Sequence, residues 1–128
     1  MREITVVPLT RIGDIKIGMR RDEVRKILGE AHEFKKSKFS QNTIDDFGWC
    51  HVFYDENNKC EAVEIFDAKV YVNNKCVFPA TELQLKEVFA DLTQDEYGYI
   101  STQYSVGVSA PEGIPESIIF GANNYYAT

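Results

Sequence analysis

Apolar and polar positions alternate along this chain with two different periods, and the two appear in the same order in each half. Between Met19 and Leu28 the apolar residues Val24, Ile27 and Leu28 recur at helical spacing, and Thr81–Leu92 carries Leu85, Val88 and Phe89 at that same spacing. Each helical segment is followed by runs that alternate apolar and polar residues, the period of half-buried strands. The pattern predicts a tandem arrangement of helix plus hairpin, with pseudo-repeats over 12–68 and 69–126.

The punctuation between these runs is explicit. Ile4–Val7 is a β-branched run stopped by Pro8, which predicts a short first strand. Gly29 closes the first helix, and Asp22 and Glu23 sit in its first turn, where the helix dipole favours negative charge. The polar stretch 33–46 has no period and predicts a loop. Trp49, His51 and Phe53 then alternate with Cys50, Val52 and Tyr54. Asn57-Asn58 supplies a turn into a return strand over 60–66, with Val63 and Ile65 on one face and Ala62, Glu64 and Phe66 on the other. Asn73-Asn74 between 69–72 and 75–78 predicts a tight hairpin with a primed turn. Thr81 followed by Gln84 is a capping-box signature for the second helix.

The loop 93–97 leads into 98–109, which alternates throughout. Read as one strand, it places Ile100, Thr102, Tyr104, Val106 and Val108 on one face and Tyr99, Ser101 and Gln103 on the other, with a turn near Ser105 or Gly107 as the alternative. A last strand over 117–120 precedes the aromatic pair Tyr125-Tyr126. Together these elements predict an α+β fold in one domain over 1–128. Its antiparallel sheet has two helices on one face, and the other face is open to solvent, at least in the second half.

Charge narrows the choice of partner. Twenty acidic against fourteen basic residues leave a formal charge of −6, which disfavours nucleic acid, whose phosphates call for a basic stripe. It suits a basic protein partner, although acidity for solubility alone gives the same number. No apolar run is long enough to span a bilayer and none near Met1 reads as a secretory signal, so a cytoplasmic location and no membrane association are expected. Cys50, Cys60 and Cys76 form no CxxC pattern and read as core thiols, with a Cys50–Cys60 cross-strand bridge or a metal role as the alternatives.

The run Ile15–Gly29, in which Ile15, Ile17, Gly18, Met19, Val24, Leu28 and Gly29 recur as a pattern, resembles the opening of the small α+β modules of outer-membrane-assembly lipoproteins of the SmpA/OmlA type and of β-lactamase inhibitor proteins. That resemblance covers about fifteen residues and implies tandem modules whose joined sheet grips a target enzyme. The chain lacks the lipobox and the disulfide-forming cysteine pair of those proteins. Its profile, small and acidic with no catalytic motif, is also similar to that of the immunity proteins of bacterial toxin systems, which neutralise a cognate toxin, often a nuclease, by binding it.

Catalytic and cofactor chemistry finds little support in the residues. No GxGxxG, Walker or EF-hand spacing is present, and no cofactor or metal is expected. Cys50 and His51 are adjacent on a strand and point to opposite faces, so they form no nucleophilic pair. The expected role is non-catalytic protein binding, most plausibly as an immunity or inhibitor protein acting on a basic toxin or enzyme. The partner-binding candidates are Asp45, Asp46, Asp55, Glu56, Glu64, Asp95, Glu96, Tyr97 and Tyr99, with Tyr125, Tyr126 and Trp49 as further aromatic anchors. Two other readings stand beside it: a small-molecule or peptide carrier using the open face as a cleft, and an enzyme with one of the three cysteines as nucleophile.

Overall fold

The helical and alternating periods resolve into two short helices and thirteen strands in a computed structural model that describes residues 1–126. The first half contains β1 (Glu3–Val7), β2 (Arg11–Ile12), β3 (Ile15–Lys16), α1 (Arg21–Leu28), β4 (His32–Phe34), β5 (Ile44–Asp46), β6 (Cys50–Tyr54) and β7 (Cys60–Ile65). The second contains β8 (Lys69–Val72), β9 (Lys75–Phe78), α2 (Glu82–Val88), β10 (Thr93–Gln94), β11 (Gly98–Ser101), β12 (Val106–Ser109) and β13 (Ser117–Gly121). Each half therefore runs short antiparallel strands, helix, four-stranded meander, with three opening strands in the first half and two in the second. The fold is α+β, and the expected pair of strands after each helix becomes four: β4 and β5 are added in the first half, and in the second β10 is added and 98–109 divides into β11 and β12.

The two meanders join through their last strands into one antiparallel eight-stranded sheet of order β10-β11-β12-β13-β7-β6-β5-β4. Its registers repeat residue by residue about the central pair Ile119↔Glu64. The pairs Cys50↔Ile65 and Val52↔Val63 of the first half recur as Val106↔Phe120 and Val108↔Ile118 in the second. Farther out, Asp45↔Val52 recurs as Tyr99↔Val108, and Glu33↔Asp45 as Gln94↔Tyr99. Correspondence at this level extends the helix periodicity into the strand ladders.

The hairpins go elsewhere. Strands β1 and β8 pair in parallel and, with β2, β3 and β9, form a second sheet of order β3-β2-β1-β8-β9, so the strands do not all lie in one layer. Both helices cover the same face of the eight-stranded sheet. Arg25 of α1 reaches Asp45 on β5, and Glu82 of α2 reaches Tyr99 on β11, and those two positions correspond in the registers above. Between helices and sheets lies a single apolar cluster that includes Val24, Leu85, Phe89, Val52, Ile65, Val70, Ile118 and Phe120.

Local chemistry accounts for the boundaries. Asn73 and Asn74 both adopt positive φ, as the primed turn between β8 and β9 requires. The capping box forms: the Gln84 backbone N–H donates to Thr81 Oγ1 at 3.2 Å and the Thr81 N–H donates to Gln84 Oε1 at 2.9 Å. All three cysteines are free, Cys50 and Cys60 buried and Cys76 half-buried, so no cross-strand bridge forms.

Two face assignments made from periodicity change. Residues 102–105 form a turn, held by Asp91, whose Oδ1 accepts from Ser101 Oγ at 2.6 Å and whose Oδ2 accepts from the Gln103 N–H at 2.9 Å. Directly paired residues of an antiparallel ladder share a face, so the pairs Tyr99↔Val108 and Ser101↔Val106 put Tyr99 and Ser101 on the inner face. The turn resets the strand phase that a single twelve-residue strand would have kept. Ile27, on the periodic stripe of α1, is 46% exposed instead of packed in the core.

Candidate functional site

The outer face of the eight-stranded sheet collects most of the residues that the sequence singles out, and its two halves differ in what they display. In the first half, the cross-strand pairs His32↔Asp46, Asp46↔His51 and His51↔Glu64 set a polar row across β4 to β7. The corresponding positions of the second half are Thr93, Ile100, Gly107 and Ile119, which leave that half largely apolar.

This half does not lie open to solvent as the alternation predicts, because the chain covers it with its own tail. A Cβ on Gly107 would collide with the Tyr126 ring and hydroxyl, and one on Gly121 would collide with Tyr125, so the tail tyrosines lie directly against the sheet at these two glycines. Missing side chains provide the seat: Gly107 stands where the first half has His51.

Among the described residues no such cover lies on the polar half. His51 sits between two phenylalanines, 5.0 Å from the Phe34 ring centroid and 4.9 Å from that of Phe66, both in tilted or edge-on contact. Its Nε2 lies 3.6 Å from Asp46 Oδ1 and its Nδ1 lies 3.4 Å from Glu64 Oε1. Ser117 Oγ donates to the second Glu64 oxygen at 2.7 Å, which orients that carboxylate across the ring. The serine bonds to the carboxylate and not to the imidazole, so the group is not a nucleophile and base pair.

Two hollows flank this row and share Lys36. One, of about 350 Å³, brings Glu64 together with Asp95, Tyr97, Tyr125 and Tyr126. The other, of about 500 Å³, is lined by Phe53, Asp55, Glu56, Glu61 and the loop 40–44. Burial, with Asp55 nearby, raises the Glu61 carboxyl above its ordinary range. Tyr97 is 67% exposed, and its backbone N–H donates to Asp95 Oδ1 at 3.0 Å, which holds the tip of that loop in shape.

Asp46, Glu64, Asp95 and Tyr97 thus gather on one surface, and Glu96 is exposed on the same loop. Asp55 and Glu56 line the second hollow, where Asp55 Oδ1 also accepts from the Asn57 and Lys59 N–H groups and shapes the turn.

Two candidates leave the surface. Tyr99 is half-buried on the inner face, where it bonds to Glu82; burial and that bond raise its phenol. Asp45 is fully buried. Its Oδ2 accepts from Arg25 Nε at 2.8 Å and from the Tyr54 hydroxyl at 2.8 Å, and its Oδ1 accepts from Arg25 Nη2 at 2.7 Å and Arg21 Nη2 at 2.8 Å. Burial opposes ionisation, but the bonds from Arg25, Arg21 and Tyr54 outweigh it and hold the carboxyl down at about 2. Arg21 also lies over the Tyr54 ring at 4.3 Å, so this network pins α1 to β5 and β6 and offers nothing to a partner.

Sequence reasoning passed over His51, Phe34, Phe66, Glu61 and Lys36 as site residues. Alternation separates His51 from Cys50 and Val52 and Glu64 from Val63 and Ile65, but only the register puts His51 and Glu64 side by side on the outer face. Burial pushes the Cys50 and Cys60 thiols up to about 12, the opposite of what a thiolate nucleophile needs. Among the described residues no cluster of three or more His, Cys, Asp or Glu has metal-binding geometry, and no helix is long and apolar enough to cross a membrane. No protein-family model, curated protein or solved structure matches this chain.

Proposed function

We propose that this chain is a non-catalytic binding protein that neutralises a basic toxin or enzyme by direct contact, in the manner of an immunity or inhibitor protein. The reading rests on one observation: the row Phe34–His51–Phe66, flanked by Asp46 and Glu64, lies uncovered beside the exposed loop of Asp95, Glu96 and Tyr97. Half-exposed aromatics ringed by carboxylates suit an arginine- or lysine-rich surface. The rings accept the stacked cation and apolar stem, and the carboxylates steer the approach. A net charge of −6 supports that steering. The tandem build is what the resemblance to the inhibitor modules implies, and a cytoplasmic location fits an immunity role.

The test begins with the product of the reading frame adjacent to this gene, bound to the purified chain at low and high salt. Reversal of Glu64 and Asp95 to lysine should slow association about tenfold at low salt, with a smaller effect at high salt. Glu87→Lys, on the outer side of α2, serves as the control and should leave the rate unchanged. Equal association rates for all three proteins at low salt would remove the electrostatic reading.

A second reading, a small-molecule or peptide carrier on the same face, draws on the 500 Å³ hollow beside Phe53 and Glu61. A ligand screen by thermal shift distinguishes it: stabilisation that Phe53→Ala abolishes favours the carrier.

A further inference from the structure

A separate cleft of about 360 Å³ opens between the last turn of α1, the first strands and the lead-in to β6. Its walls are Ile4, Ile12, Ile15, Ile27, Leu28 and Trp49, and its floor is the buried pair Cys50 and Val63. It explains the exposed position of Ile27. That side chain keeps its place on the apolar stripe of the helix, but it faces the cleft and not the core.

The rim carries charges of both signs. Arg2 lies with its guanidinium 4.4 Å from the centre of the Trp49 ring, and Glu3 and Asp14 line the same opening. Among the described residues none of the three forms an ion pair. Arg2 is parked on an aromatic face at the mouth of an apolar cleft, with its donors available to an incoming carboxylate.

We infer that this cleft binds a zwitterionic small molecule with a bulky apolar side chain, the chemistry of a leucine- or phenylalanine-like α-amino acid. The side chain enters between Ile27, Leu28 and Trp49, the carboxylate meets Arg2, and the ammonium lies toward Glu3 and Asp14. A ligand bearing only a carboxylate would face two like charges at the rim, and one bearing only an ammonium would face Arg2. The zwitterion is the class that satisfies all three. The volume is within the range of about 300–1,000 Å³ usual for small-ligand sites.

Trp49 is the only tryptophan in the chain, so its emission reports on the cleft directly. L-Leucine and L-phenylalanine are titrated to about 10 mM, a range that captures millimolar affinity, with calorimetry as a second readout. A saturable change is expected with at least one of them. Arg2→Gln and Asp14→Asn should each weaken it about tenfold, as should ligand analogues lacking the carboxylate or the ammonium. Both substituted residues are exposed, so unchanged circular dichroism should confirm that these variants fold. Silence in both readouts for both amino acids overturns the assignment. So does an analogue without the ammonium that binds as tightly as its parent amino acid.

Discussion

Replacing Asp45 with asparagine removes the one fully buried charge among the described residues while leaving the shape of the side chain nearly intact. In the folded protein this carboxylate accepts from Arg25, Arg21 and Tyr54, and its ordinary value of 3.8 falls to about 2. At about 1.36 kcal/mol for each pH unit, that difference makes the ionised form contribute about 2 kcal/mol to stability. The folded value is the lower one, so the contribution is fully present above about pH 4 to 5. It is lost as the pH falls through about 2.

In the asparagine variant at neutral pH the loss is larger, because Arg21, with a side chain only 12% exposed, loses its buried counter-ion and keeps only the half-exposed Glu33 at 3.4 Å. Breaking a buried pair costs about 3–5 kcal/mol, and the 38% exposure of Arg25 places this case near the lower end. The expected cost is about 3 kcal/mol, or a fall in melting temperature of roughly 10 °C for a domain of this size. Urea denaturation of both proteins at several pH values between 7 and 2.5 gives the difference curve directly. Glu33, which shares Arg25, and other carboxylates also lose ionisation in acid, but they are present in both proteins, so the difference isolates Asp45 to first order. The gap should narrow as the pH drops. A variant as stable as the parent at pH 7, or a gap that stays constant down to pH 2.5, would refute the view that this network locks α1 onto β5.

Other outcomes follow from the same geometry. Tyr54→Phe should cost about 1.5–3 kcal/mol through loss of one hydrogen bond to a charged acceptor, read by the same denaturation assay. Gly107→Ala should destabilise by about 1–3 kcal/mol by pushing Tyr126 off the sheet, and should cost much less in a Tyr126→Ala background; equal costs in both backgrounds would show that the tail does not pack there. Thr81→Ala should cost about 1 kcal/mol by opening the capping box of α2, measured as a shift in the denaturation midpoint. Alkylation of the folded protein at pH 8 should label Cys76 alone, with Cys50 and Cys60 reacting only after denaturation, as mass spectrometry would show.

Much of the local structure was legible because its causes are local. Periodicity located both helices, two Asn-Asn pairs located turns, and Thr81 with Gln84 marked the start of α2. The two faces of β6 and β7 also followed from alternation, since Cys50, Val52, Val63 and Ile65 are buried while His51 and Glu64 are half-exposed. The short strands β4, β5 and β10 left no period of their own, because two or three residues cannot display one and their pairing comes from neighbours.

The sequence by itself determined the class of fold and the order in which its elements repeat, because spacing and turn chemistry act over a few residues. Only the tertiary structure decided which acids meet a partner and which serve the core. Asp45 and Asp46 are neighbours in the chain, yet one strand step turns the first onto two arginines and the second toward His51. The four-residue turn after Ser101 likewise sends Tyr99 inward, and Tyr126 settles on Gly107, far from it in sequence, only because β12 and β13 pair. Register joins residues that no local spacing relates, and for that reason the site exists only once the ladders have formed.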